Sequence, residues 1–199
     1  MRAKTLAAVF LLATGLGGCL LPETIDARIE LDGYHYRANI KSRVVSSDAL
    51  KVIVNGQTLT EQMDERLRAE EKGASEQRGY KQFTYVKNGR YDAVVELTGD
   101  LAKPGAAVGF PFTRTDVVNN NNFLTIERKP DGTVEIRTPQ IPAKAQQELA
   151  KAGFAPTGPI EVNVSGKVLE SNAPEKAGNT HRWKFSSWND YVYLKVAAP

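Results

Sequence analysis

Cys19 is the one thiol in a chain of 199 residues, and His35 and His181 are its only imidazoles. A thiol beside an imidazole would make a Cys–His nucleophile, and two histidines at helical spacing would begin a metal site. The sequence offers neither pattern. The histidines lie far apart and neither falls in an H-x-x-x-H spacing. His35 alternates onto the polar side of its segment, and a solvated ring is expected for both. There is no G-x-S-x-G elbow for a serine nucleophile, no Walker loop, no G-x-G-x-x-G and no EF-hand loop. The 23 acidic residues would supply a carboxylate pair for glycoside cleavage in almost any fold, and nothing singles out two of them. No catalytic residue, metal or cofactor is therefore assigned, and attention moves to the surroundings of Cys19.

Those surroundings have the layout of a secretion signal. Arg2 and Lys4 are followed by an uncharged, mostly apolar run from Thr5 to Leu16, which gives a charged n-region and a short h-region. A membrane-spanning helix needs roughly 20 apolar residues, and Gly15, Gly17 and Gly18 interrupt this shorter run. In place of a small-residue A-x-A site the run ends Leu16-Gly17-Gly18-Cys19. That junction resembles the lipobox of bacterial lipoproteins. The resemblance implies that residues 1–18 are removed and that Cys19 carries diacylglycerol, with further acyl groups such as palmitate. It also implies a location: Leu20 is not the Asp that retains such proteins at the inner membrane, so an outer-membrane anchor facing the periplasm is expected. Lipidation accounts for the lone thiol too, since a free one is a liability in an oxidising compartment. One acyl chain holds only marginally, whereas two or three hold stably.

Removal of the signal changes the charge balance. The whole chain carries 26 basic and 23 acidic residues. Arg2 and Lys4 leave with the signal, so 24 basic residues face 23 acidic ones, a net charge of +1. Without a basic stripe, nucleic acid is not an expected partner. The 41% hydrophobic content is that of a folded protein, and no disulfide can form within the chain. A short tether, residues 19–23, and a single domain, residues 24–199, are expected.

The domain reads as α+β, a mostly antiparallel sheet of successive hairpins with two or three packing helices. Ile25, Ala27, Ile29 and Leu31 alternate with charges, as do Tyr36, Ala38, Ile40 and Val44. Asp32-Gly33 marks the turn between them. A two-residue loop there would place Ile29 opposite Tyr36 and Ala27 opposite Ala38. Ala49 to Val54 suits either a helix capped by Ser46, Ser47 or Asp48 or a strand. Thr58 opens a candidate capping box before Glu61, and Leu59, Met63 and Leu67 stripe a charged helix that ends near Gly73 and lies on the sheet. Tyr80–Lys87, Asn88-Gly89 and Arg90–Thr98 form a second hairpin, with Phe83, Tyr85 and Val94 expected opposite the face of Tyr91, Ala93, Val95 and Leu97. A third turns at Pro130-Asp131-Gly132. Pro142 and Gly153 bracket a helix. Ile160 to Val168 reads as one long strand with a bulge at Gly166, and Trp183, Phe185, Val192, Leu194 and Val196 fall in closing strands.

Two stretches are candidates for binding. In the irregular, Asn-rich segment from Val108 to Phe123, the rings of Phe110, Phe112 and Phe123 either line the mouth of an apolar cavity or plug one end of the core. Trp188, in Ser186-Ser187-Trp188-Asn189-Asp190, either packs at a strand end or sits at an exposed binding edge.

Gly166-Lys167-Val168, Ser171-Asn172-Ala173, Gly178 and Arg182-Trp183-Lys184-Phe185 resemble the end of the LppM-like family of small bacterial lipoproteins, which also have a lipobox followed directly by strands. The likeness covers the two ends of the chain and not the middle. It implies a membrane-tethered α+β domain with an affinity for lipid, and brings no catalytic residues; Gly166 and Trp183 take structural roles, a bulge and a buried ring. The function expected is a non-enzymatic, membrane-anchored lipoprotein that binds a lipid, an envelope glycan or a protein partner. An alternative is an assembly factor that docks proteins through a sheet edge. A third reading is a carboxylate-dependent periplasmic enzyme, which would need acids with strongly perturbed pKa values in a cleft.

Overall fold

The computed structural model describes residues 20–75, 79–111, 122–151 and 153–197. Its longest elements follow from the strongest alternation. β1 (Leu20–Asp32) and β2 (His35–Ser46) pair antiparallel along their whole length. Ile25, Ala27, Ile29 and Leu31 are buried, as are Tyr36, Ala38, Ile40 and Val44. On the outer face Glu30 meets Arg37 at 3.6 Å. The turn residues are Gly33 and Tyr34, one position later than Asp32-Gly33. Ile29 therefore opposes Ala38, and Ala27 opposes Ile40. Moving the turn by one residue shifts the register by two, so each residue keeps its face. The expected tether is also strand: Leu20 and Leu21 pair with Ser46 and Val45, and Glu23 takes a forked ion pair from Arg90, its oxygens 2.8 and 2.9 Å from Nε.

The chain then forms α1 (Ser47–Val54) and α2 (Glu61–Ser75), and returns as β3 (Tyr80–Lys87) and β4 (Arg90–Asp100). The ambiguity over 49–54 resolves to helix, closed by Asn55 and by Gly56 at φ +70°. The cap of α2 is Thr60 rather than Thr58: its hydroxyl accepts the Met63 N–H at 3.3 Å. A type of turn with φ positive at both Asn88 and Gly89 joins β3 to β4. A register shift between Tyr85 and Lys87 leaves Val86 bulged out and 39% exposed. The bulge moves Phe83 and Tyr85 onto the face of Tyr91 and Ala93, contrary to the alternation expected across a plain two-residue turn. Phe83 stacks on Tyr91 at 4.6 Å, and Tyr85 meets Tyr91 edge-on at 5.3 Å. These rings receive α2. The Tyr91 hydroxyl donates to the Leu67 carbonyl at 2.6 Å, that of Tyr85 donates to Asp64, and Glu71 accepts the Tyr85 N–H at 2.9 Å. The last bond also occupies a donor on the outer edge of β3.

A second sheet is made of β5 (Ala107–Phe110), β6 (Leu124–Arg128), β7 (Val134–Arg137), β9 (Val168–Ser171) and β12 (Tyr193–Val196), in the order β5-β6-β7-β12-β9. After β7 comes α3 (Ala143–Lys151), followed by β8 (Gly158–Val164). β8 lies parallel to β1 in the first sheet, whose order is β10-β11-β8-β1-β2-β4-β3, with β10 (Glu175–Ala177) and β11 (Thr180–Phe185). Ile160 to Val168 is thus not one strand. The chain bends at Ser165-Gly166-Lys167 and crosses to the other sheet, because Gly166 passes the Ala197 carbonyl so closely that a Cβ would stand 2.8 Å from it. The two sheets and three helices bury one continuous core, and the class is α+β with mostly antiparallel pairing.

Gly158, where β8 meets β1, has φ +127°, and a Cβ there would lie 1.9 Å from the Ile25 carbonyl oxygen. Gly178 also has positive φ, +59°, but open space around it. Gly158→Ala is expected to cost more than about 2 kcal/mol, and Gly178→Ala about 1 kcal/mol. Urea denaturation of a chain beginning at Leu20 checks the difference, which isolates the backbone clash from the conformational cost.

Candidate functional site

The loop after β11 is built on one carboxylate. Asp190 Oδ2 accepts the N–H groups of Ser186 and Ser187, both at 2.8 Å, and their hydroxyls at 3.1 and 3.2 Å. Burial alone would raise the pKa of Asp190; the four bonds outweigh it and hold the carboxyl below its ordinary value. The loop so fixed turns Trp188 inward. Its indole N–H donates to the Phe154 carbonyl at 2.8 Å, and its ring stacks on Phe154 at 5.8 Å. Phe154 follows α3, whose C-terminal end is closed by Gly153 at φ +71°.

Between this loop and α3 lies a recess of about 220 Å³, lined by Gln140, Ile141, Gln146, Trp188, Asn189 and Tyr191. Gln146 is steadied by donating to the Ile141 carbonyl at 2.6 Å. The lining has three carboxamides, two aromatic rings and one aliphatic side chain, with no carboxylate or ammonium. Carboxamides donate and accept hydrogen bonds without charge, so the recess suits an uncharged polar group. Its volume is below the roughly 300–1,000 Å³ of sites for drug-sized ligands. Tyr191, 38% exposed, forms the open side.

The recess stands at a definite end of the first sheet. Phe185, the last residue of β11, pairs with Gly158, and Thr157 bridges to Thr24 of β1. Trp188, after β11, and Phe154, before β8, therefore lie toward the end at which β1 begins, past the level of Thr24. Residue 20, the neighbour of Cys19, is at that same end.

A second polar cluster lies at the seam between the sheets. Asn172 Oδ1 accepts the Trp183 indole N–H and the Tyr193 backbone N–H, both at 2.8 Å, while its amide donates to the Tyr191 carbonyl at 2.9 Å. Beside it Ser171 Oγ is 3.0 Å from His181 Nδ1. This is a Ser–His contact, but not the pattern of an activated nucleophile. Ser171 Oγ also accepts the Ala173 N–H at 3.1 Å, and the charge acting on His181 is the Lys176 cation rather than an orienting carboxylate. The cluster ties β9 to β11. His181 is buried, 5% exposed, and stacks on Trp183; the expected solvated ring is corrected here, because β11 alternates with Trp183 and Phe185 inward and carries His181 in with them. His35 is on the surface, bonded to Asp100 at 3.0 Å. Among the described residues no three His, Cys, Asp or Glu side chains converge.

The candidate residues fall in different places. Cys19 and Phe112 lie outside the described residues. Phe110 and Phe123 are buried, 2% and 4% exposed, and Phe123 meets Phe185 edge-on at 5.4 Å across the two sheets. Trp188 is 6% exposed, with its ring packed and one edge on the recess. Gln140, Gln146, Asn189 and Tyr191 were not singled out from the sequence, since isolated carboxamides in loops carry no periodic signal.

No family model matches the chain, and no curated protein does. Among solved structures, two crystal structures of the M1 zinc metallopeptidase of Deinococcus radiodurans are similar, one of them of a variant bound to a Tyr-Ser-Ala substrate. The TM-scores are 0.33 and 0.30, both at 8% identity over 89% of this chain. The chain spans 42% of the length of that peptidase. Likeness at this level carries no functional inference.

Burial, and secondarily the Lys176 cation, lower the pKa of His181 below its ordinary 6.5. The unfolded chain then takes up a proton that the folded chain refuses. The stability from neutral His181 is complete above pH 6.5 and is lost as pH falls toward the lowered native value. Denaturation midpoints of a chain beginning at Leu20 are expected to drop across that window. In His181→Gln, which keeps a partner for Ser171 and does not titrate, the drop is expected to flatten, with a constant loss of about 1 kcal/mol at pH 8.

Proposed function

We propose that this chain is a lipid-anchored protein of the bacterial envelope, held through Cys19, which binds an uncharged polar group of an envelope molecule in the recess beside Trp188. The reading is of binding rather than catalysis. The observation that carries it is the position of the recess. It lies toward the end of the first sheet at which β1 begins, on the loop that follows Phe185, which is level with the Thr24–Ile25 step of β1. A lipid on Cys19 would hold the recess beside the membrane, where its ligands would be concentrated and weak affinity would suffice. The neutral lining supports a sugar or the uncharged part of a lipid headgroup, with Tyr191 as an open stacking face. Among the described residues no helix is long and apolar enough to cross a membrane.

A second reading, docking of a protein strand, is favoured by one observation. β9 is an outer strand of the five-stranded sheet, and Leu169 on it is 48% exposed, a combination that natural sheets usually avoid.

Cys19→Ser is expected to abolish palmitate incorporation and move the protein from the membrane fraction to the soluble one, still folded. Retention in membranes with no acyl group would overturn the anchor. Trp188→Ala would collapse the loop packing, so the recess itself is tested by Gln146→Leu. That change removes a carboxamide from a half-buried position and is expected to weaken capture on immobilised envelope glycan or on vesicles about tenfold, while the melting temperature stays within a few degrees.

A further inference from the structure

The first strand leaves no slack between the anchor and the domain. Leu20 pairs with Ser46 and Leu21 with Val45. Glu23 is gripped by Arg90 through a fork whose Nη2 contact is 2.8 Å, and Thr157 N–H donates to the Glu23 carbonyl at 3.0 Å. Adjacent Cα atoms are about 3.8 Å apart. A lipid on Cys19 would therefore pull one end of the sheet onto the bilayer, with no tether to let the domain turn. What occupies that end is then a question about the membrane.

Ser46, the partner of Leu20, is the N-cap of α1. The helix follows without a break and ends Val52-Ile53-Val54. Only Ser47, Ala49 and Leu50 of it are buried. Val54 packs against the core, whereas Val52 and Ile53 are partly exposed and lie outside the packed set. The β3–β4 turn abuts the same helix: a Cβ on Gly89 would stand 2.2 Å from that of Ala49. Val86 and Lys87, which lead into that turn, are exposed. Lys51 and Arg66 converge on the single carboxylate of Asp48, at 3.2 and 3.3 Å. The result is a short, half-exposed apolar patch beside a cluster of two cations and one carboxylate.

We infer that α1, through Val52 and Ile53, is a membrane seat: a surface that lies in the headgroup layer of the bilayer holding the anchor and fixes the domain's orientation. Apolar side chains flanked by lysine and arginine suit an anionic interface, and the anchor supplies the proximity that so small a patch could not. The inference rests on acylation of Cys19. It adds that the domain stands end-on, with the β1–β2 turn pointing away. That turn is about 35 Å distant, at about 3.3 Å per residue of strand.

The lone cysteine makes the test direct. In the acylated protein the Cys19 thiol is consumed, so Ile53→Cys introduces the single free thiol for a nitroxide label, and His35→Cys does the same at the far end. Val52→Cys stands in if the Ile53 variant is unstable. The full-length protein is processed in cells, purified and reconstituted in vesicles containing one-fifth anionic phospholipid. Accessibility of each label to oxygen, which partitions into lipid, and to an aqueous nickel chelate is then measured. The expected result is an oxygen-to-nickel ratio several-fold higher at position 53 than at position 35, with one label per chain. Equal, water-like ratios with one label per chain would overturn the seat and leave the anchor intact. Shielding of position 53 from both relaxers would overturn it in favour of a protein cover. Two labels per chain would show Cys19 unmodified and overturn the anchor, and the seat with it.

Discussion

β1 is paired on both sides, antiparallel to β2 and parallel to β8, and the rest of the chain is arranged by that fact. A hairpin closes the first pairing in two residues, but a parallel neighbour requires a crossover. Here the crossover is everything from Gly33 to Thr157: the aromatic hairpin, two helices beside it, most of the second sheet and α3. The junction is tight as well as central. Gly158 passes the Ile25 carbonyl at a distance no side chain allows, and Thr157 bonds to β1 on both sides of Thr24, accepting the Ile25 N–H at 2.8 Å and donating to the Glu23 carbonyl at 3.0 Å. Because β1 is flanked on both edges, its inner residues are sealed and its register has no freedom to slip.

The second sheet is held to the first by a stitch. From Ser165 to Val196 the chain passes to β9, back to β10 and β11, and again to β12. Each crossing is a place where strand ends leave backbone groups unpaired. Asn172 answers that need, its one side chain meeting Trp183, Tyr193 and Tyr191 from both sheets. His181 and Ser171 do the same a residue away. Hydrogen-bonded side chains that join strands of both sheets act as registration pins, and this is why a Ser–His contact here is better understood as architecture than as chemistry.

Much of the architecture was legible in period two. The inward residues of β1, β2, β4, β8 and β11 are those that alternation selects, and the turns at Asn88-Gly89 and Pro130-Asp131-Gly132 fall where their residue types require. The misplacements share one physical cause: a single residue inserted or shifted where the sequence has no marker. The turn after β1 moved by one, the bulge at Val86 turned Phe83 and Tyr85 over, and the bend at Gly166 sent one apparent strand into two sheets. Each depends on what the neighbouring strand offers, which is absent from a local window. His181 illustrates the converse. Its alternation with Trp183 and Phe185 was visible, but the partner that lets an imidazole be buried, Ser171, sits on another strand.

The candidate site was less legible because its parts are neither periodic nor adjacent. Trp188 stood out as a bulky ring in a polar loop, and the structure gives it both roles at once, a packed face and an edge on the recess. The carboxamides around it come from the approach to α3, from α3 itself and from the loop. What links them is the Asp190 carboxylate, which organises the loop at the cost of its own solvation, and the α3 terminus that Gly153 closes. Those supports lie at the end of the first sheet where β1 begins, as does α1. The strand that orders the core thus also decides which features a lipid on Cys19 would bring to the bilayer, and the mobility of a long tether would have removed that consequence entirely.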